Sequence, residues 1–542
     1  MNAAHPIDVP SFGASLFNLN ALNDISPRVL WFTSNFQLQV TTFGTMCCLC
    51  FVLSRLYSSR KVFPGPPGLP LIGHIFEVPT IKTWLYFERL AAKYGPLVRL
   101  SLAGDEMLIL SNASDAEELL GRRSHNYSSR KPLIYAGKYQ SKNKRMVLLP
   151  YGETLKKYRA AFHQMLQPRV VGGYEPMQEL ESSKFLMDLL DQPSTIGRHC
   201  RRFAASLVFT LSYGKRLEDD DSDLTAVLDI LANFTKDTYP GSHLVDTFPL
   251  LDYLPDFLSP WRAEASRKHK DEMKLYNRLA LEVKAQMDDG NSELECFAAR
   301  LWDQQQKMNL DLVDISYVAG TAFEAGTDTT ASTVQWFTMA MVLYPEAQKR
   351  AQEELDNVLG SDGKTMPGYE HLSQLPYCVA LTKEVFRWAP AAPGGFPHYS
   401  DTDDEYNGHH IKRGTMVIPC IWNMHHNETE FKNSYDFMPE RFETTAAGSE
   451  SITEGHYGFG FGRRKCPGQY LASKSIWIGL TRVLWGFNIR PELSEDGKPI
   501  SVGPDNCTSG MTSRPIDFPV SITPRSVVHA ETIRRTWEGY GA

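Results

Sequence analysis

The chain has 542 residues, 42% of them hydrophobic and 22% charged, which puts it among folded globular proteins and excludes a disordered or low-complexity chain. Its 56 basic residues against 63 acidic ones give a net charge of −7, so there is no electrostatic footprint for nucleic acid and no DNA or RNA partner is expected. Nine cysteines are too sparse for a disulfide scaffold and point to a reducing compartment with mostly inert thiols.

In chain order, residues 1–28 read as an N-terminal tail. No charged residue occurs from Val29 to Ser54, and Val40 to Leu53 is the most apolar part of that run. Taken from Phe36 to Tyr57, the segment reaches the ~20 residues a helix needs to cross a bilayer. Residues 29–57 are therefore expected to form a single-pass transmembrane anchor, with a signal peptide or a buried core helix as the alternatives. Arg55, Arg60 and Lys61 follow the run, whereas only Arg28, with Asp8 and Asp24, precedes it. The positive-inside bias thus puts the tail in the lumen and everything after the anchor in the cytoplasm. With that orientation the sequons at Asn112, Asn126, Asn233, Asn427 and Asn506 meet no glycosylating enzyme. Residues 58–75 are a basic and proline-rich hinge, in which Pro64, Pro66, Pro67 and Pro70 fix φ and stiffen an extended spacer. A ligand for a proline-binding partner is the other reading.

Residues 76–542 form the body. Helical patterns dominate from residue 76 to 390, apart from a hairpin expected over Val98–Leu110 around Ala103-Gly104-Asp105. The longest helical pattern runs from Asn309, a candidate cap, to Tyr344 before Pro345, and would span on the order of 50 Å. Within it Ala325-Gly326-Thr327-Asp328-Thr329-Thr330 breaks the apolar stripe with a glycine, an acid and threonines. A local kink is one reading, since glycine and back-bonding threonine hydroxyls both weaken a helix. A further helix bracketed by Pro376 and Pro390 carries Glu384 and Arg387 at i, i+3, on one face, where they can pair, if only as a surface salt bridge. Beyond Pro390 the pattern turns mixed. An extended segment at Thr415–Ile418, a loop-rich region, a helix over Gln469–Trp485 and a strand pair around Met511–Ile522 are expected. The order implies a mainly helical body with small β-sheets to one side.

The most informative stretch is Phe459-Gly460-Phe461-Gly462-Arg463-Arg464-Lys465-Cys466-Pro467-Gly468, directly before a helix. Its alternating glycines do not make a phosphate loop, because no apolar strand precedes them and the rest of a dinucleotide fingerprint is lacking. What it offers is a lone cysteine at a helix entrance, with Pro467 suited to the first turn and glycines that let the backbone approach something flat. Helix N–H groups and the three basic neighbours favour a thiolate, which could serve as a nucleophile or as a metal ligand. Only His456 is near enough in sequence to act as a base, which favours ligation modestly; an inert buried cysteine stays open.

This loop resembles the haem-binding signature of the cytochrome P450 superfamily, F-x-x-G-x-R-x-C-x-G, at Phe459, Gly462, Arg464, Cys466 and Gly468. The resemblance makes Cys466 the axial thiolate of a haem b iron, which favours O–O cleavage, and turns Arg464 toward a haem propionate. It continues through Glu384-Val385-Phe386-Arg387 and Pro439-Glu440-Arg441-Phe442, whose Glu384, Arg387 and Arg441 would form a buried triad fixing the loop. Ala325 to Thr330 matches the oxygen-activating groove: Thr329 would hydrogen-bond dioxygen, Asp328 would relay protons from water, and Gly326 would leave room for the oxygen. The family's W-x-x-x-R is only half kept in Tyr151 to Arg159, because Leu155 stands where tryptophan is usual. Arg159 would still hold a propionate, simple solvation being the alternative, and His398 would be another propionate donor or else a core histidine.

Stretches such as Leu244–Pro249 and Pro255–Pro260 resemble microsomal fungal members. The resemblance implies a haem-thiolate catalytic domain over residues 76–542, on the endoplasmic reticulum membrane and facing the cytoplasm. Its reaction would insert one oxygen atom of O2 into a small apolar substrate reached from the membrane lipid, by hydroxylation or epoxidation. Electrons would come from NADPH through a membrane-bound flavoprotein reductase, steered to a basic side at Arg463, Arg464, Lys465, Lys156 and Lys157. A pocket near Phe323, Ala325, Gly394 to Phe396 and Met511 would take a secondary metabolite such as a terpenoid, polyketide or alkaloid. The rival expectations are a haem-thiolate isomerase or dehydratase, and a non-catalytic membrane haem-binding protein.

Overall fold

Ala103 and Gly104, both at positive φ, reverse the chain so that Leu97 comes to lie opposite Leu110, which forms the expected hairpin. The computed structural model in which this is seen describes residues 41–42, 44–46, 61–70, 72–217, 222–239, 241–290, 294–443 and 451–541. The chain divides into two compact units, Met1–Lys61 and Val62–Ala542. The expected anchor lies outside the described residues, save for helical residues at 41–42 and 44–46. No helix among the described residues is long and apolar enough to cross a membrane.

In the larger unit α1 (Thr83–Tyr94) leads into β1 (Leu97–Leu102) and β2 (Asp105–Leu110). There follow α2 (Glu153–Leu166), α3 (Glu175–Asp191), α4 (Ile196–Tyr213), α5 (Ser222–Thr238), α6 (Pro260–Asp288), α7 (Leu312–Leu343), α8 (Pro345–Leu359) and α9 (Pro376–Trp388). The strands β3 (His398–Tyr399), β4 (Asp404–Tyr406), β5 (His409–Ile411) and β6 (Met416–Pro419) come next, then α10 (Gln469–Gly486), β7 (Phe487–Pro491), β8 (Val520–Pro524) and α11 (Val527–Gly541). One sheet has the order β1-β2-β6-β3, with β2 and β6 parallel; β4-β5 and β7-β8 form two small ribbons. The mainly helical body with small sheets is thus as expected from the sequence.

Three local expectations need correction. The long helix is capped by Asp311, which exchanges a capping box with Asp314, while Asn309 is left-handed and closes the preceding turn. Met511 sits in a loop, because the partner of the terminal strand is β7, which leaves α10 directly and pairs Ile489 with Ile522. Helix α11 was not anticipated; it packs against α3, α10 and β8.

Helix α7 decides where a site can form. Its first half joins an apolar cluster with α2, α4, α5 and α6, and its second half joins another with α3, α4, α8, α9 and α10. Residues 324–330, the interruption seen in the sequence, fall on the seam between the two clusters. There Ala325 is exposed and Ala322, Gly326, Asp328 and Thr329 are half-buried, although Phe323, Glu324 and Thr327 beside them are buried. Ala322, Ala325 and Thr329, at i, i+3 and i+7 on an otherwise buried helix, share one accessible face of α7.

Candidate active site

The cysteine loop is closed by main-chain bonds. Cys466 N–H donates to the Phe459 carbonyl at 2.9 Å, and Gly460 N–H donates to the Tyr457 carbonyl at 2.9 Å. Gly462 has φ 55°, and a Cβ there would lie 1.9 Å from the Leu120 carbonyl oxygen, so only glycine lets the loop lie against that turn. Gly468 caps α10, which places Pro467 in the turn before the helix, outside the first turn expected for it. The Phe459 ring packs on Phe386 of α9, with centroids 5.1 Å apart. Burial pushes the Cys466 thiol up, while the Gly468 N–H, Arg159 and Lys465 pull it down. Burial wins, so the polypeptide alone does not give the low-pKa thiolate expected from the basic neighbours; a metal cation at the sulfur would supply the missing stabilisation.

Cations gather around this loop, with Asp401 near enough to Arg464 to attract it. Arg159 of α2 donates to the Lys465 carbonyl at 2.8 Å. Arg464 donates to the carbonyls of Ser128 (2.6 Å), Met146 (3.3 Å) and Leu149, so its side chain turns inward. Arg130 donates to the carbonyls of Phe396 (3.0 Å) and Pro397 (2.5 Å), yet its buried Nε has no partner. His398 Nδ1 bonds the Tyr127 carbonyl at 2.7 Å. Among the described residues no carboxylate forms an ion pair with Arg130, Arg159 or Arg464. Burial, then repulsion from Arg464 and Arg159, holds Arg130 well below the usual arginine range. Burial and Arg159 bring Arg464 down to about 10, and burial with Arg130 and Arg464 keeps His398 neutral. Half-buried cations that weaken one another would be relieved by an anionic group beside Cys466. A haem with its two propionates fits that donor set. Arg130 was not found in the sequence, where Ser129-Arg130-Lys131 matches no motif; only its folded position beside Arg464 reveals it. Leu155, in the place of the usual tryptophan, is buried in the α2 core.

On the seam of α7 the Thr329 hydroxyl donates to the Ala325 carbonyl at 2.8 Å, and Asp328 Oδ2 accepts from the Thr512 hydroxyl. The loop that carries Thr512 is pinned by Ser513 N–H to the Ala391 carbonyl (2.8 Å) and by Trp336 Nε1–H to the Ser513 carbonyl (2.9 Å). Gly326 does not open room for oxygen. A Cβ there would lie 2.3 Å from Val208 Cγ1, so the glycine lets α7 and α4 pack closely. Phe323 also departs from expectation: it is fully buried against Phe209 and Tyr213, off the accessible face. Met511 stays near the groove helices, its sulfur accepting from Thr238 of α5 at 3.0 Å.

The triad forms as expected. Arg387 grips Glu384 in a fork with both contacts at 2.7 Å, and Arg441 Nε reaches Glu384 Oε1 at 3.2 Å. Arg387 also bonds the carbonyls of His425, Ser434 and Asp436. A second buried charge cluster, Arg145 with Glu272 and Glu324, ties α6 to α7 and was not foreseen, because its members are scattered along the sequence. The basic docking side is smaller than expected. Arg464 points inward, Lys157 is held by Asp314 at 3.0 Å and Lys465 is half-buried, which leaves Lys156 and Arg463 exposed.

Comparison with known proteins agrees with this geometry. The Cytochrome P450 family model matches residues 63–519. Cytochrome P450 monooxygenase 69 of Postia placenta is 35% identical, over 88% of this chain and 91% of that protein. A cytochrome P450 monooxygenase of Armillaria gallica is 34% identical over 86% and 90%. Cytochrome P450 monooxygenase claR of Ampulloclitocybe clavipes is 33% identical over 89% and 90%. With the family model matched over residues 63–519 and relatives matched along most of their length, this chain is an enzyme of the cytochrome P450 family.

Proposed function

We propose that the enzyme is a monooxygenase that inserts one oxygen atom of O2 into a small apolar substrate, by hydroxylation or epoxidation, in the manufacture of a terpenoid, polyketide or alkaloid. The observation that carries this reading is the gathering of Arg130, Arg159 and Arg464, none of them ion-paired among the described residues, around the loop that presents Cys466. Cys466 would ligate the haem iron, and Arg130, Arg159, His398 and Arg464 would hold its propionates. When bound, the haem supplies the activation of dioxygen with electrons from NADPH, delivered by a flavoprotein reductase.

The chain's own residues supply positioning and protons. Asp328, its Oδ2 already held by Thr512, can take a proton from water and pass it toward the groove. The Thr329 hydroxyl donates to a helix carbonyl and keeps lone pairs with which to accept a hydrogen bond from a water in the groove. The tight contact of Gly326 with Val208 fixes the α7 backbone that carries both groups. A location on the endoplasmic reticulum membrane, facing the cytoplasm, is supported by the basic residues that follow the apolar N-terminal run. Entry from lipid is supported by Leu244, Phe248, Leu250, Tyr253 and Phe257, all exposed. Two of that segment's three acids turn inward, Asp246 to the N–H groups of Ile134 and Tyr135 and Asp252 to Lys138, while Asp256 stays exposed beside Arg262.

The test is a reduced-CO difference spectrum of wild type and Cys466→Ser, followed by turnover with reductase and NADPH. A band at the thiolate position that Cys466→Ser abolishes, with Asp328→Asn and Thr329→Ala diverting electrons to peroxide, supports the reading. A Cys466→Ser spectrum like that of wild type ends it, and product formed from a peroxide substrate without NADPH replaces it with the isomerase reading.

A further inference from the structure

The link between the Glu384-Arg387-Arg441 triad and the cysteine loop runs through two histidines that no motif marks. His425 is fully buried, and its two halves face opposite ways. Its carbonyl accepts from Arg387 Nη1 at 2.9 Å, while its ring Nε2 accepts the N–H of Tyr457 at 2.8 Å. His456 lies almost parallel to Phe386 of α9, with centroids 4.9 Å apart and an interplanar angle of 14°. Its Nδ1 accepts the N–H of Gly458 at 3.2 Å, and its Nε2 donates to the Ile452 carbonyl at 3.0 Å. The N–H groups of Tyr457 and Gly458, at the entrance to the loop, therefore each end on an imidazole nitrogen.

A ring nitrogen that accepts a main-chain N–H carries no proton. The geometry thus fixes His425 as the Nδ1–H tautomer and His456 as the Nε2–H tautomer, both neutral. Their surroundings agree. Burial, then His456 and Arg387, holds His425 far below the usual histidine range, and burial with Lys383 and Lys465 brings His456 down to about 4. The next links are Gly460 N–H to the Tyr457 carbonyl and Cys466 N–H to the Phe459 carbonyl, both 2.9 Å.

We propose that His425 and His456 are positioning residues of the cysteine loop, neutral imidazole acceptors that transmit the triad's rigidity to the main chain presenting Cys466. The proposal rests on the reading of Cys466 as the haem ligand and adds the route by which it is held. Neither histidine touches the reacting atoms.

The test is amide hydrogen exchange of the holoenzyme over residues 455–460, with the amides of α10 as an internal reference and the reduced-CO band recorded in parallel. His425→Phe and His456→Phe keep the ring shape and remove the acceptor. Exchange at Tyr457 or Gly458 should rise about tenfold, the scale of one net hydrogen bond, with the CO band moving toward the neutral-thiol position. Rescue depends on which nitrogen is replaced. A glutamine oxygen reaches the place of Nε2 and an asparagine oxygen the place of Nδ1, so His425→Gln and His456→Asn should exchange like wild type, whereas His425→Asn and His456→Gln should not. Wild-type exchange in both phenylalanine variants overturns the proposal. So does equal behaviour of glutamine and asparagine at each position, or failure of the two rescuing variants to fold. Because exchange does not read the iron ligand, an error over Cys466 would show only in the Cys466→Ser spectrum.

Discussion

Arg387→Ala and Glu384→Ala remove the two ends of one buried ion pair, but the structure makes them unequal. Both side chains are fully buried. Without Glu384, the Arg387 guanidinium still donates to three carbonyls, those of His425 (2.9 Å), Ser434 (2.6 Å) and Asp436 (3.0 Å). Its charge is partly satisfied, and the loss should lie near the low end of the range for breaking a buried pair, about 3 kcal/mol. Without Arg387, the Glu384 carboxylate keeps the Met438 N–H at 2.8 Å and Arg441 at 3.2 Å, while the His425 and Ser434 carbonyls lose this donor and Asp436 keeps only the long bond from Arg441 at 3.4 Å. That loss should reach the high end, about 5 kcal/mol, against a total stability of roughly 5–15 kcal/mol for a folded chain. Urea unfolding followed by circular dichroism would measure both, with the CO-difference spectrum reporting haem. Arg387→Ala should lose haem completely and unfold roughly 2 kcal/mol more easily than Glu384→Ala, which also loses its Soret band. Equal losses, or a worse Glu384→Ala, would refute the role given to the three carbonyls; a normal Soret band in either would refute the triad's.

Gly462→Ala should abolish the thiolate CO band, since its Cβ would meet the Leu120 carbonyl at 1.9 Å, whereas Gly460→Ala, at φ 73° with nothing within 4 Å, should cost only about 1–2 kcal/mol in a melting experiment. Asp314 feels burial that would raise its pKa, but hydrogen bonds from Lys144, Tyr158 and Lys157 win and hold it at about 2, below the ordinary 3.8. Its contribution is therefore full above the unfolded pKa and lost as pH falls through the folded one: Asp314→Asn should destabilise by about 2 kcal/mol at pH 6, with the gap to wild type closing between pH 4 and pH 2 in urea titrations. Lys156→Glu and Arg463→Glu should slow reduction by the reductase in stopped-flow at low ionic strength, with the difference fading as salt rises; a rate flat in salt would remove the basic docking side.

How much of this could be read from the sequence depended on how local the signal was. The Val98–Leu110 hairpin, the helix between Pro376 and Pro390, the helix after Gly468 and the cysteine loop are specified within a few residues, by turn glycines, prolines and spacing. Glu384 and Arg387 could be paired because i, i+3 is a short-range relation. The cap of α7 was misplaced by two residues because Asn309 and Asp311 both suit a helix start, and only the capping box with Asp314 chooses between them.

The remaining features come from elements that meet only when the chain folds. Arg130 joins Arg159 and Arg464 because a loop after α1 and the hairpin, helix α2 and the cysteine loop converge on one place, and nothing in its own neighbourhood announces this. Gly326 faces Val208, not open space, because α4 crosses α7 there, a fact about the packing of two helices that the Ala325–Thr330 motif does not contain. The sequence by itself determined the family, the helical class and the identity of the sulfur at the site. Which cations surround that sulfur, which way each glycine faces and which imidazoles hold the loop were decided by tertiary structure, because those relations depend on long-range packing and on the burial that removes water from competing charges.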